Sequence, residues 1–162
     1  MNRFKLGLAT CGFLGLAPFA PGTFGTLGGV AIAWALMGTQ WYLLWISLAA
    51  LAVYILGRSL GEWAESYAGK KDPGWFVLDE VVGYLVTVAW IQGPSPLALL
   101  TAFCAFRFFD IVKPPPVKRF EAIGGGDGIM LDDVVAGLYG FLLVMLPLRL
   151  LVDVPWVVEL GS

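Results

Sequence analysis

The sequence contains no histidine, two cysteines and few charged residues, and each shortage excludes a class of chemistry. Without histidine, the chain cannot use a Ser-His-Asp triad, a phosphohistidine or a histidine-ligated zinc ion. Cys11 and Cys104 lack the spacing of a metal site. A Cys-x5-Arg loop beginning at Cys104 is also excluded, because Asp110 stands where that loop requires its arginine.

Charged residues make up 14% of the 162 residues, hydrophobic residues make up 59%, and the mean hydropathy is +0.81. Soluble domains are about one quarter charged, so the composition predicts an integral membrane protein. The length suits one domain, 1–162, with a peripheral tail after about residue 150.

Apolar segments predict an all-α fold, a polytopic membrane bundle of about five transmembrane or partly spanning helices. Glycines and Pro18 among the first twenty residues favour an N-terminal half-helix or interfacial helix over a further crossing and a cleaved signal peptide. The apolar segments lie at about 24–38, 41–57, 76–91, 96–112 and 131–152.

The positive charges are strongly asymmetric across a five-crossing topology. One face carries nine of the ten lysines and arginines, and the other face carries only Arg149. Positive residues concentrate on the cytoplasmic side of membrane proteins, so the crowded face is predicted to be cytoplasmic. The nine are Arg3, Lys5, Arg58, Lys70, Lys71, Arg107, Lys113, Lys118 and Arg119.

Four motifs converge on that face. The first is "APGTFGTLGG" (20–29), where glycines allow close backbone approach and a helix start attracts anions. Gly22, Thr23 and Thr26 are therefore candidate phosphate-binding residues. A tight turn followed by glycine-mediated helix packing is the alternative interpretation.

The second and fourth motifs, "LDEVVGY" (78–84) and "GGGDGIMLDDVVAG" (124–137), each carry an acidic doublet. Asp79 and Glu80 form one doublet, and Asp132 and Asp133 form the other. Stabilisation of a helix start explains one acid in each, but explains a pair less well. Asp127 is interpreted as a turn residue.

The third motif, "FRFFDIVKPPP" (106–116), places Arg107, Asp110 and Lys113 three residues apart, so they form a stripe at a helix end. A capped helix end with an Arg–Asp pair is the alternative. Dense carboxylates require a bound cation or protons. With oxygen ligands only, the expected ion is Mg²⁺ or Mn²⁺, and the adjacent cations suit the phosphate of a phospholipid headgroup.

Together the four motifs resemble, in order over about residues 18 to 140, those of the bacterial phosphatidylglycerophosphatase A family. The resemblance implies a Mg²⁺-dependent phosphatase at the cytoplasmic side of the inner membrane, which converts phosphatidylglycerophosphate to phosphatidylglycerol. The motif residues that it implies are Asp79, Glu80, Asp110, Asp132, Asp133, Arg107, Lys113, Pro21, Gly22 and Thr23.

As a mechanistic hypothesis, Asp79, Glu80, Asp132 and Asp133 hold one or two Mg²⁺ ions, and Arg107 and Lys113 bind phosphate. Asp110 remains open as a metal ligand, general base or nucleophile. The main rival function is an ion or proton transporter that uses the carboxylates as its path. A CDP-alcohol transferase lacks its motif here, a structural subunit leaves the doublets unexplained, and no basic run supports nucleic-acid binding.

Overall fold

The computed structural model describes residues 3–115, 117 and 124–157, and these residues form six helices and no β-strand. This confirms the all-α prediction for the described part of the chain. Lys118 and Arg119 lie outside it. The helices are α1 (Arg3–Ala9), α2 (Pro21–Leu36), α3 (Tyr42–Ala68), α4 (Leu78–Val88), α5 (Pro96–Val112) and α6 (Gly125–Leu151).

Two of these helices, α3 and α6, are long and apolar enough to cross a membrane, with 27 residues each. At about 1.5 Å per residue, the 11 residues of α4 extend about 16 Å, far short of a hydrocarbon core of about 30 Å. Helices α2 and α5, with 16 and 17 residues, are close to the lower limit. The prediction of about five crossings is therefore not confirmed.

Helix α4 lies at the centre of the bundle, and nine of its 11 residues are buried. An apolar sequence on all sides of a helix suits this position. Gly22 and Gly29 of α2 face Glu80 and Tyr84 in the same order, so α2 and α4 are parallel. Corresponding contacts of Gly83 with Asp133, and of Thr87 with Gly140, make α6 parallel to α4, whereas α3 and α5 run the opposite way.

The outer surface of the bundle is strongly apolar. Many large side chains are exposed, including Leu44, Leu51 and Ile55 on α3 and Leu142 and Leu143 on α6. A contiguous apolar surface of this kind is not stable in water and marks contact with lipid or another protein. The surface agrees with a membrane protein, even though several helices are short.

The N-terminal segment does not cross a membrane, because α1 has only seven residues. Cys11 and Phe13 adopt positive φ angles after α1, and the chain turns into a 3₁₀ turn, Leu14–Leu16. The backbone N–H of Val77 donates to Ala9 at 3.1 Å, which ties this segment to the start of α4. This agrees with the predicted half-helix.

The segment after α6 is packed more closely than the sequence indicated. Trp156 is buried in the core, and its carbonyl accepts a hydrogen bond of 2.9 Å from the Ser95 N–H. Val157 forms an isolated bridge with Pro94. The expectation of a peripheral tail thus does not describe Trp156, whose ring is large enough to fill the far end of the bundle.

Candidate active site

The candidate site lies where the N-terminal ends of α2 and α4 meet α6 and the C-terminal end of α5. The free N–H groups of a helix start carry partial positive charge, which favours acidic side chains and anionic ligands nearby. Asp79 and Glu80 lie in the first turn of α4. Arg107 and Asp110 lie in the last two turns of α5.

Three carboxylates form the centre of the site. Asp79, Glu80 and Asp133 each offer an oxygen within 4.8 Å of the others, and Asp79 and Asp133 are only 7% and 3% exposed. The Glu80 backbone N–H donates to Oδ1 of Asp79 at 3.0 Å, and Asp110 is close enough to Asp133 to interact with it electrostatically. Carboxylates this close repel one another, so the cluster requires protons or a cation to offset its charge.

The donor chemistry of the cluster suits a hard divalent cation. All three groups supply oxygen, which is the ligand type that Mg²⁺ and Mn²⁺ prefer. The Oε2 atom of Glu80 is buried and has no hydrogen-bond partner among the described residues. A buried carboxylate oxygen without a partner is costly, and a bound cation would satisfy it. The residues therefore fit a metal ion.

Asp132 is separated from this cluster. Its Oδ2 atom lies 2.8 Å from Nζ of Lys113, and its side chain lines a small cavity with Lys71 and Asp72. Adjacent helical residues point about 100° apart, so one aspartate of the doublet can face the cluster while the other faces Lys113. Three of the four predicted metal ligands therefore lie together in the cluster, and the fourth, Asp132, lies beside it.

Arg107 connects the cluster to α2. Its guanidinium forms a 2.5 Å ion pair with Asp110, and both side chains are largely buried. A Cβ atom added to Gly22 would lie 3.1 Å from an Arg107 nitrogen and would collide with the Glu80 carboxylate. Glycine is therefore needed at residue 22 to bring the start of α2 this close to the site.

The first turn of α2 offers fewer donors than the sequence suggested. Pro21 has no N–H, and the N–H groups of Thr23 and Phe24 donate to Ala20, at 2.9 and 3.4 Å. The Thr26 hydroxyl is buried and donates to the Gly22 carbonyl at 2.9 Å. The Gly22 N–H is therefore the candidate anion donor of this turn, and Thr26 stabilises the turn.

Two acidic residues beyond the predicted metal ligands lie at the edge of the site. Asp127 accepts hydrogen bonds from the Tyr54 hydroxyl at 2.9 Å and from Nε of Arg58 at 3.0 Å, so its role is to join α3 to α6. Asp72 interacts electrostatically with Asp79. Sequence reasoning missed Asp72, and the available signal was its place in a short Pro-Gly turn just before the first doublet.

Comparison with known proteins gives a consistent result. The family model for phosphatidylglycerophosphatase A matches residues 7–148. The chain is 39% identical to a phosphatidylglycerophosphatase A of Haemophilus influenzae, covering 80% of each chain. It is 32% identical to the Escherichia coli protein of that name, covering 76% of this chain and 71% of that one.

A third relative has a different name. The chain is 38% identical to a candidate phosphatidylinositol-3-phosphatase of Bacteroides thetaiotaomicron, covering 80% of this chain and 84% of that protein. No solved structure matches the chain. The three relatives are all named for the removal of phosphate from a phospholipid.

Proposed function

Because this chain belongs to the phosphatidylglycerophosphatase A family, and is therefore a phosphatase, we propose that it removes the terminal phosphate of phosphatidylglycerophosphate. The product is phosphatidylglycerol, and the reaction is a step of phospholipid biosynthesis. The observation that carries this proposal is the buried group of Asp79, Glu80 and Asp133 beside Arg107, at one end of an apolar bundle.

Asp79, Glu80 and Asp133 would hold the metal ion, which we propose is Mg²⁺. When bound, the ion supplies positive charge that offsets the charge of the phosphoryl group and of the carboxylates. Asp132 acts beside this group through its ion pair with Lys113, at 2.8 Å. In this assignment Asp132 orients Lys113 rather than binding the ion directly.

Arg107, Lys113 and the start of α2 would bind the phosphate. A guanidinium can hold two phosphate oxygens at once, and Arg107 lies next to both Gly22 and Asp110. The N–H of Gly22 and the hydroxyl of Thr23 add uncharged donors on the same side. The incoming phosphate would take over part of the interaction that Asp110 now makes with Arg107.

Hydrolysis forms one P–O bond from water and breaks the P–O bond to glycerol, with a proton transferred to the glycerol oxygen. Asp110, which is paired with Arg107 and interacts electrostatically with Asp133, lies beside the proposed phosphate position. It can serve as the general base for water, or as the nucleophile of an aspartyl-phosphate intermediate. Acid quenching during turnover of substrate labelled in its terminal phosphate distinguishes the two, because only the second leaves labelled phosphate covalently attached to Asp110.

A groove between α2 and α5 offers a place for an acyl chain of the substrate. It encloses about 390 Å³ and is lined by apolar side chains that include Leu27, Val30 and Phe103. Phe103 lies one helical turn from Arg107, so the groove begins beside the phosphate position and continues along the bundle. A lipid bound this way keeps its headgroup at the carboxylates and its chains in the apolar region.

We place the site at the cytoplasmic face of a bacterial inner membrane, in a multi-pass protein of one domain. The positive residues near the site end of the bundle support this orientation. The transporter interpretation has no support, since the relatives are named as phosphatases. The name of the Bacteroides relative makes the choice among lipid phosphomonoesters the first property to measure.

Phosphate release from a panel of purified lipids tests the proposal. Phosphatidylglycerophosphate, phosphatidylinositol 3-phosphate and phosphatidate are each incubated with the purified protein, in Mg²⁺ and in EDTA. We expect the first lipid to be hydrolysed fastest, with activity lost in EDTA and restored by Mg²⁺. Faster hydrolysis of another lipid would overturn the substrate assignment, and full activity in EDTA would remove the metal from the mechanism.

A further inference from the structure

Arg149 is a buried cation at the end of the bundle opposite the carboxylate site. The guanidinium nitrogens Nε, Nη1 and Nη2 are buried and have no hydrogen-bond partner among the described residues. The guanidinium lies over the ring of Trp90, with its carbon 4.5 Å from the ring centroid. The Tyr42 hydroxyl, which is close enough to interact electrostatically with Arg149, is also buried without a partner.

The N–H donors of the Arg149 guanidinium therefore have no acceptor among the described residues. A guanidinium carries five N–H donors, and the face of an aromatic ring offsets its charge without accepting all of them. Burying an unpaired cation is strongly unfavourable. Asp153 is nearby but exposed to solvent, and the structure records no ion pair between it and Arg149. An anion that reaches Arg149 would therefore be bound tightly.

A cavity lined in part by Arg149 lies next to these buried nitrogens, so an anion in the cavity would reach them when the guanidinium turns toward it. It encloses about 730 Å³, within the usual range for small-molecule sites. Gln92 supplies a further polar group, whereas Trp90, Val154 and Trp156 supply apolar walls. The lining residues Gln92 and Asp153 are exposed and polar, whereas the neighbouring side chains Ile91, Leu150 and Leu151 are exposed and apolar, so we place the opening of the cavity at the boundary between water and lipid.

We propose that Arg149, Tyr42 and Trp90 form a second anion site, which binds the phosphate group of an anionic phospholipid from the leaflet opposite the carboxylate site. Phosphate fits because its oxygens accept the paired N–H donors of arginine and the Tyr42 hydroxyl. A lipid is favoured over free phosphate because apolar walls and exposed leucines surround the cation. The site has no part in the proposed hydrolysis, and the failure of either proposal leaves the other intact.

Thermal unfolding of the purified full-length protein in neutral detergent provides the test. The three probes are dioleoyl phosphatidylglycerol, dioleoylglycerol, which has the same chains without phosphate, and inorganic phosphate. We expect only phosphatidylglycerol to raise the unfolding temperature at low concentration. The Arg149→Gln variant should weaken this lipid's half-saturation by about tenfold or more, which corresponds to about 1.4 kcal/mol. Arg58→Gln, at the other end of the bundle, is the matched control.

The same measurement separates lipid binding from a purely structural role. If Arg149 only braces Trp90, Arg149→Gln should lower stability equally with and without lipid, and that result would overturn the proposal. Only protection that is lost in Arg149→Gln reports on this site, because phosphatidylglycerol and phosphate are also products of the proposed reaction. Equal Arg149-dependent protection by inorganic phosphate would overturn the lipid assignment, and equal Arg149-dependent protection by dioleoylglycerol would overturn the phosphate assignment. If Arg149→Gln does not fold, Tyr42→Phe removes one hydroxyl donor and should still weaken phosphatidylglycerol binding.

Discussion

At the scale of single residues, the site depends on charges that are buried close together. Asp79, Glu80 and Asp133 repel one another within 4.8 Å, and this cost is acceptable only if a ligand offsets it. The same residues are then expected to be dispensable for folding and essential for activity. Residues that serve packing alone show the opposite behaviour, so substitutions that keep side-chain shape distinguish the two roles.

Glu80→Gln tests this distinction, because it removes a charge and keeps the shape of the side chain. We expect phosphate release to fall by about 100-fold or more, as for loss of a group that stabilises charge in the transition state. The unfolding temperature should stay equal or rise, because a buried charge is removed. Glu62→Gln, the same change at an exposed position on α3, should leave both properties unaltered.

The comparison of the two variants is made on purified protein, by phosphate release and thermal unfolding. An active Glu80→Gln protein would show that the carboxylate is not needed for the reaction. A protein that is inactive only because it has lost its fold would show that Glu80 is structural.

Gly22→Ala is a second residue-scale prediction. In an exposed helix, this change normally stabilises by up to about 1 kcal/mol. Here the added methyl group would collide with the Glu80 carboxylate, so we expect activity to fall by about tenfold or more, as when groups around a reacting centre are displaced. Gly38→Ala, where the new methyl group meets no atom within 4 Å, is the control. Equal activity of both variants would show that α2 does not approach the site.

At the scale of helices, sequence and structure agree on which segments are helical. They differ in the length of α4 and in which residues of α6 face the site. The apolar segments predicted the five bundle helices, and the two doublets predicted a shared acidic site. Sequence alone does not reveal that Asp133 faces the cluster and Asp132 faces Lys113, because apolar residues surround both on α6. In a membrane protein both lipid and core are apolar, so periodicity does not identify the inner face of a helix.

The short length of α4 has a similar explanation. The apolar run at 76–91 suggested a crossing, yet the helix ends at Val88 and Ala89 is extended. An apolar segment that is too short to span a membrane can still be buried, because neighbouring helices cover it. Sequence analysis also does not identify which glycines make close contacts. A helical glycine that touches another backbone and a helical glycine that touches nothing look the same in the sequence.

Gly137→Ala tests the packing between α4 and α6. A methyl group on Gly137 would overlap the carbonyl oxygen of Gly83, so the two helices would have to separate. We expect the free energy of unfolding to fall by about 1–3 kcal/mol, as for overpacked cores. Activity should fall with it, because the shift moves Asp133 away from Asp79.

Thermal unfolding and phosphate release check this prediction, with Gly74→Ala as a control whose methyl group meets no neighbour. A Gly137→Ala protein with normal stability would mean that the helices are not in contact at this point. Normal activity with reduced stability would mean that the position of Asp133 tolerates a small displacement.

At the scale of the whole molecule, the proposed topology places the two ends of the bundle on opposite sides of a membrane. The carboxylate site lies at the end with α3 residues 57–64, and Arg149 lies at the end with residues 90–95. Within the part of the chain that the structure describes, only α3 and α6 are long and apolar enough to span by themselves. Of the shorter helices, α4 is buried among its neighbours, whereas α2 and α5 expose large side chains such as Trp34 and Ile111. In a bilayer, local thinning or protein contacts would cover the ends of these short helices.

Labelling of single cysteines measures this arrangement in intact cells. Cys11 and Cys104 are first replaced, and then Glu62→Cys and Gln92→Cys are made separately, both at exposed positions. A membrane-impermeant maleimide should label the residue 92 variant from outside, and the residue 62 variant only after permeabilisation. The positive residues at the carboxylate end predict this orientation. Labelling of both variants from the same side would mean that the chain between residues 62 and 92 does not cross the membrane. Both ends of the bundle would then lie at the same leaflet.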